Sequence, residues 1–317
     1  MKRFGSFVIS CLALALAVLP AQAADYTVSI TQIVEHPSLD AMQQGFKDHL
    51  AELGLDVAYN VHIAQGDNAI NEQVASQIKG EAPDMVLAIT TPSAQAVAQK
   101  IQDIPILFTG VTDPVEAKLV ASLEAPGANI SGMSDMSPMG KHLALIMEFL
   151  PGLKKLGMIY NAGEPNSVVL LNLLRAECDR KGVELVEATV DNSAGVYPAA
   201  KSLVGRVEAV YVPVDNTVVS ALESAVKVCR QNKLPLFTGD TDSVERGSIA
   251  ALAVDYYKMG VQTADMAKRV LADHEPTATM PVEFILQFGL HVNPGAAEAM
   301  GIEVPRSVLD RATKIVD

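Results

Sequence analysis

The sequence contains no tryptophan and only three cysteines, and aromatic residues make up just 5% of the chain. It also lacks the local motifs of common enzymes, since no GxSxG, HExxH, P-loop or GxGxxG pattern occurs. Its six histidines are scattered, and it has neither a CxxC pair nor a Cys/His cluster. We therefore expect no metal site, no cofactor and no enzymatic activity.

Basic residues are scarce relative to acidic ones, with 24 Lys and Arg against 37 Asp and Glu, so the formal net charge is −13. Such an acidic surface disfavours nucleic acid and anionic lipid as partners, and it is typical of a soluble protein. The length and the apolar content of 49% allow about two domains with large cores. No low-complexity run or long polar linker divides them. We expect a compact monomer.

The N-terminus has the pattern of an export signal. Two basic residues precede an apolar stretch over 7–19, and Ala21-Gln22-Ala23 follows. This order predicts cleavage after Ala23 and a mature chain in the periplasm. The apolar stretch is shorter than the roughly 20 residues of a membrane-spanning helix. Lipidation at Cys11 is a less favoured alternative because the apolar run before it is too short.

Cys178 and Cys229 remain after this cleavage, each late in a helix-like segment. An oxidising compartment permits one disulfide between them. Two buried free thiols are the other interpretation, and both stay open.

Short apolar runs alternate with longer amphipathic segments along the mature chain. Apolar strands separated by helices predict parallel sheets covered on both faces. Strands are predicted at 27–30, 56–63, 85–89, 104–108, 155–160, 184–188, 209–212, 236–237, 280–284 and 290–293. Helices are predicted at 39–53, 69–79, 93–100, 139–149, 167–181, 197–203, 218–232, 259–271 and from about 294.

The second half of this series repeats the first. The run IPILFTGVTDP at 104–114 aligns with LPLFTGDTDS at 234–243, and a strand, a polar turn and a helix precede each copy. This predicts an α/β protein with two similar doubly wound parallel-sheet lobes. Because open parallel sheets bind ligands beyond the carboxyl ends of their strands, a ligand cleft is expected between the lobes.

The tail crosses between these lobes, so that several chain segments form the hinge. Lobe 1 is predicted to comprise 24–134 plus about 255–280. Lobe 2 is predicted to comprise 135–254 plus about 281–317.

Six motifs spread over the mature chain resemble those of a known family. They are ITQIVEHP at 30–37, AQGD at 64–67, FTGVTDP at 108–114, YVPVDNT at 211–217, GDTDS at 239–243 and VDYY at 254–257. The chain resembles the ABC-importer substrate-binding family that includes tryptophan/tyrosine-binding receptors.

The resemblance implies a type I periplasmic-binding-protein fold, delivery of a small solute to an ABC permease in the inner membrane, and no catalysis. Aromatic amino acids are the ligand class associated with some members of that family. A periplasmic ligand sensor that feeds a membrane signalling receptor is the alternative function.

Polar side chains follow the predicted strands of both lobes. Lobe 1 offers neutral hydroxyls, whereas lobe 2 offers acids, and Asp240 stands where lobe 1 has Val111. An amino acid needs donors for its carboxylate and acceptors for its ammonium, so we predict the carboxylate toward lobe 1 and the ammonium toward Asp215 and Asp240. The candidate ligand-binding residues are Gln32, Glu35, Thr91, Ser93, Thr112, Asp113, Tyr160, Glu164, Asn166, Asp215, Asn216 and Asp240.

Two simpler interpretations stand beside this one. Ser93, Asp215 and Asn216 have the side chains that cap helices regardless of function. Asp113 and Asp242 could imitate the paired carboxylates of a hydrolase, but their equivalent places in the repeat favour a role in turns.

Overall fold

The structure, a computed structural model, describes residues 24–316, so the predicted signal peptide and Cys11 lie outside the described residues. The first segment folds as alternating strands and helices. Its strands at 85–89 and 106–111 are buried along their whole length, as expected for a sheet covered on both faces. The elements are β1 (Tyr26–Gln32), α1 (Pro37–Glu52), β2 (Val57–Ile63), α2 (Asn68–Glu81), β3 (Met85–Ile89), α3 (Thr91–Lys100), β4 (Ile106–Val111) and β5 (Ile130–Ser134).

The second segment repeats this alternation. The helix predicted at 218–232 is interrupted at Ala221, which leaves the helical conformation. The elements are α4 (Met139–Phe149), β6 (Lys155–Asn161), α5 (Pro165–Lys181), β7 (Glu184–Val190), α6 (Val196–Leu203), β8 (Ala209–Val212), α7 (Asn216–Ser220), α8 (Leu222–Gln231), β9 (Leu236–Thr238), α9 (Asp242–Glu245) and β10 (Ala250–Ala253).

The tail adds one long helix and several short elements. They are α10 (Tyr256–Leu271), β11 (Glu283–Phe284), β12 (Gly289–Val292), α11 (Pro294–Ala299), α12 (Arg306–Leu309) and β13 (Lys314–Ile315). Helix α10 packs along α1. Strand β11 pairs in parallel with β5, whereas β12 and β13 form a small sheet with β10.

The two main sheets share one topology. Their strand orders are β2-β1-β3-β4-β5-β11 and β7-β6-β8-β9, and all neighbours within them are parallel. The order reverses between β1 and β3 in one lobe and between β6 and β8 in the other, which confirms two similar doubly wound lobes. A ligand in such a sheet lies beyond the strand ends at the reversal.

Three segments connect the lobes, at 135–138, 254–255 and 285–288. The last crossing follows Phe284, which still pairs with Ser134 of the first sheet. It therefore lies a few residues beyond the predicted boundary at about 281.

Cys178 and Cys229 are buried and unpaired. Burial raises their pKa values to about 11 and about 12 respectively. The sequence allowed either a disulfide or two buried free thiols, and the structure contains the free thiols. Among the helices within residues 24–316, none combines the length and the apolar character needed to cross a bilayer.

Candidate functional site

A narrow cavity of about 20 Å³ lies between the two lobes. This volume holds about one water molecule, so the lobes must separate to admit a larger solute. Lobe 1 contributes His36, Ser38, Leu39, Met42, Thr90, Gly110 and Thr112; lobe 2 contributes Asn166, Val214, Asp215, Asn216, Val219 and Asp240. Asp135 and Tyr256, beside the first and second crossings, complete what we call the cleft cavity.

The lobe 1 wall is built around the first turns of α1 and α3. Thr90, before α3, has a φ of 80°, and its hydroxyl is buried without a hydrogen-bond partner in the described chain. The same holds for the hydroxyls of Thr91 and Ser93 in the first turn of α3. A helix N-terminus carries partial positive charge, so this cluster of free donors suits the carboxylate of a ligand.

The lobe 2 wall contains Asp215, which is fully buried and begins α7. Its carboxylate accepts hydrogen bonds from the backbone N–H of Val218 (2.8 Å), the backbone N–H of Asn161 (2.6 Å) and the Ser167 hydroxyl (2.6 Å). Asp215 is therefore a helix cap that also lines the cavity, so the simpler interpretation describes a real part of its role.

Asp240, the second lobe 2 acid, follows β9 and is almost fully buried. It accepts hydrogen bonds from the backbone N–H (2.8 Å) and the hydroxyl (2.6 Å) of Ser243 within its own lobe. A third hydrogen bond comes from the Ser38 hydroxyl of lobe 1 at 3.3 Å. Asp240 thus joins the two walls of the cavity.

Asp135 lies on the first crossing, immediately after β5. Its carboxylate accepts a hydrogen bond from the Thr112 hydroxyl at 3.0 Å. An irregularity in the β4–β5 pairing, at Gly110 with its φ of 65°, shifts the register just before Thr112. Such bulges re-aim side chains at functional sites, and here Thr112 and Asp135 both line the cavity.

The electrostatics of the cavity favour a cation. Burial raises the pKa of Asp135 to about 6 and also raises that of Asp240. Burial and, secondarily, the neighbouring Glu164 raise the pKa of Asp215 to about 7. Burial lowers the pKa of His36 to about 3, so this ring is neutral at physiological pH. Because the described lining contains no Lys or Arg, a positively charged group would stabilise the ionised carboxylates.

The described residues hold no cluster of His, Cys, Asp and Glu side chains suited to a metal ion. The cavity instead combines acids, hydroxyls and an apolar wall that includes Leu39, Met42 and Tyr256. It is equipped to bind a small amphipathic molecule.

Of the twelve candidates, five line the cleft cavity: Thr112, Asn166, Asp215, Asn216 and Asp240. Thr91 and Asp113 line an adjoining groove at the outer junction of the lobes, where Asp113 also accepts hydrogen bonds from the backbone of Val115 and Glu116. Ser93 lies in the first turn of α3 and is fully buried, outside both linings.

Four other candidates lie outside the lining. Gln32 donates hydrogen bonds to Val34 and Asp40, and Glu35 is exposed on the loop before α1. The Tyr160 hydroxyl donates to Glu187. Glu164 accepts hydrogen bonds from Asn216 and Thr217 at the start of α7, so it supports the cavity from behind.

The lining also includes residues that were not among the candidates. Leu39 and Met42 lie three positions apart on the buried side of α1. That spacing, directly after the first strand-end loop, is the sequence signal that could have identified them as lining residues. Asp135 and Tyr256 lie beside crossings. The sequence predicted connections between the lobes there, but it did not indicate where these side chains point.

Two open α/β lobes around an enclosed cavity define a two-lobed solute-binding protein. Residues 27–316 match the family described as ABC transporter substrate binding protein, and the chain belongs to this family. Its members are substrate-binding proteins, and this chain is not an enzyme.

Three relatives are informative. A tyrosine-binding protein of Clostridioides difficile is 37% identical over 87% of this chain and 81% of its own length. The structure of the ABC domain in complex with L-Trp from Streptococcus pneumoniae is 30% identical, with a TM-score of 0.88 over 92% of this chain and 99% of that one.

The third relative is the ligand-free, open structure of a substrate-binding protein with adhesive properties from Clostridium difficile. It is 36% identical over 92% of this chain and 99% of its own, but its TM-score is only 0.68. This chain is therefore closer in shape to the L-Trp complex, although it shares more sequence with the open protein. Together with the contact from Ser38 to Asp240, this indicates that the lobes are closed. The expected type I periplasmic-binding-protein fold is confirmed.

Proposed function

We propose that this protein is the periplasmic solute-binding subunit of an ABC importer, and that it binds an L-amino acid, with aromatic side chains favoured. The carrying observation is the cavity between the lobes, which is lined by buried carboxylates and by the free hydroxyl of Thr90 just before α3. An α-amino acid has the complementary charges, since its ammonium seeks acceptors and its carboxylate seeks donors. The apolar wall suits its side chain.

The ligand is tested by a thermal-shift screen of the twenty amino acids, followed by calorimetry. A ligand that binds only the folded chain stabilises it by about 2.7 kcal/mol at a hundredfold excess over Kd. We expect L-tyrosine and L-tryptophan to raise the melting temperature most, and their D-enantiomers to act much less. A screen in which no amino acid stabilises the protein would contradict the assignment.

Delivery to a permease is tested in the cell. Deleting the gene should abolish uptake of the radiolabelled ligand, and a plasmid copy should restore it. A ligand sensor for a membrane signalling receptor would leave uptake unchanged. Export is tested by mass spectrometry of the periplasmic protein, which should begin at Ala24.

A further inference from the structure

Three carboxylates line the cleft cavity, but they differ in how many protein donors they already accept. Asp215 and Asp240 each accept three hydrogen bonds. The carboxylate of Asp135, by contrast, accepts one hydrogen bond from another residue within 24–316, and the donor is the Thr112 hydroxyl. Because an ionised carboxylate has about four acceptor sites, Asp135 has the largest unused capacity.

The surroundings of Asp135 make that unused capacity costly unless a ligand fills it. The residue is 7% exposed, and Tyr256, which has a neutral phenol, lines the cavity beside it. A buried carboxylate without a cationic partner is destabilised, and burial raises its pKa to about 6 here. An ammonium group would supply the missing charge.

The backbone holds Asp135 in a fixed position. Its N–H donates to the carbonyl of Val111, and the hydroxyl of the preceding Ser134 donates to the carbonyl of Thr112. The side chain thus projects from a crossing between the lobes that is tied to the end of β4.

We propose that Asp135 is the principal acceptor for the ammonium group of the bound amino acid. This inference rests on the proposed function, and it gives Asp135 the role that the sequence suggested for Asp215 and Asp240. Those two acids mainly organise the walls of the cavity.

The experiment compares two pairs of ligands by calorimetry: L-tyrosine with 3-(4-hydroxyphenyl)propanoate, and L-tryptophan with indole-3-propanoate. Each analogue lacks only the ammonium group. In the wild-type protein the amino acids should bind at least about 30-fold more tightly than the analogues. In Asp135→Asn this ratio should fall to near one, because the amino acids lose affinity while the analogues retain or gain it.

Asp215→Asn and Asp240→Asn are measured in the same way, and Asp67→Asn, at an exposed helix cap outside the cavity, is the control that should keep the wild-type ratio. Thermal unfolding of the ligand-free variants monitors folding, and Asp135→Asn should be at least as stable as wild type. A merely structural role for Asp135 would weaken all four ligands equally and would overturn the proposal. So would a ratio that collapses in Asp240→Asn or Asp215→Asn but not in Asp135→Asn.

Failure of the proposed function would look different. Wild-type protein that binds neither amino acid would overturn both the function and this inference. Wild-type protein that binds the analogues as tightly as the amino acids would retain a solute receptor but overturn the ammonium site.

Discussion

The Ser38 hydroxyl donates a hydrogen bond to Asp240 Oδ1 at 3.3 Å, although the two residues are 202 positions apart and belong to different lobes. Ser38 lies in the first turn of α1, and Asp240 follows β9. Because both line the cleft cavity, this bond links its two walls directly. It can form only when the lobes approach each other.

Ser38→Ala should therefore weaken ligand binding without unfolding either lobe. The lost bond is long but involves a charged acceptor, so we expect a cost of about 1 kcal/mol, or roughly fivefold in Kd. Calorimetry measures this change. Ser243→Ala is the control, since it removes a bond to the same carboxylate from within lobe 2 and should lower stability more than affinity. Equal affinities of wild type and Ser38→Ala would argue against the bond as a contributor to closure.

Ligand-dependent closure should be visible in solution. The three crossings form a hinge, and a ligand held by both lobes stabilises the closed state over the open one. Small-angle X-ray scattering should show a smaller radius of gyration with saturating L-tyrosine or L-tryptophan than without ligand. An unchanged profile would count against a cleft that opens and closes.

Asp215→Ala should chiefly destabilise the fold. The change leaves two buried N–H groups and the Ser167 hydroxyl without their acceptor, which should lower the free energy of unfolding by about 2 kcal/mol or more. Chemical denaturation of the ligand-free protein measures this free energy. Asp67→Ala is a matched control, because Asp67 caps α2 through the N–H groups of Ala69 and Ile70 at an exposed position. It should cost about 0.5 to 2 kcal/mol and leave Kd unchanged. If both variants lost a similar free energy of unfolding, the burial of Asp215 would add nothing to the stabilising effect of the helix cap.

The closed, ligand-free state should depend on pH. Burial raises the pKa of Asp135 from its ordinary 3.8 to about 6, and opening the cleft to water should return it toward the ordinary value, so the closed state should bind more protons than the open state between these values. Acidification therefore favours closure, and this contribution is lost as the pH rises through about 6. His36 acts in the opposite direction, because burial lowers its pKa from 6.5 to about 3 and an open, hydrated ring would bind the extra proton. The contribution of Asp135 is therefore isolated by comparison with Asp135→Asn.

Scattering of the ligand-free protein should accordingly give a larger radius of gyration for wild type than for Asp135→Asn at pH 8, and a smaller gap between the two at pH 5. The variant is the reference because an amide does not titrate in this range, whereas His36 is present in both proteins. A gap that widens on acidification would reverse the predicted sign and refute the interpretation.

The sequence predicted most of the fold wherever its residues followed a clear pattern. The strands Met85–Ile89 and Ala209–Val212 and the helix Met139–Phe149 have the predicted bounds. Strand β5 was missed because its sequence ISGMS mixes small polar residues with apolar ones. Strand β10, with the sequence AALA, was missed because alanine has a low preference for strands.

The site was less predictable because its lining depends on side-chain direction. Tyr160 and Asp215 both follow the strand-end rule, yet Tyr160 points to Glu187 while Asp215 lines the cavity. Asp135 could not be assigned from the sequence, because the register shift between β4 and β5 decides where it points. Such a shift follows from three-dimensional pairing rather than from a local motif.

The two buried cysteines have a practical consequence for the chemistry of the whole protein. The thiolate is the form that alkylating reagents attack, and burial raises the pKa of Cys178 to about 11 and that of Cys229 to about 12. In a folded chain that begins at Ala24, both should resist maleimides at neutral pH. Glu35→Cys would place one reactive thiol on the exposed loop before α1, next to His36 of the cavity lining. A dye attached there would convert lobe closure into a fluorescence signal, so the chain is already suited to become an optical sensor for its own ligand.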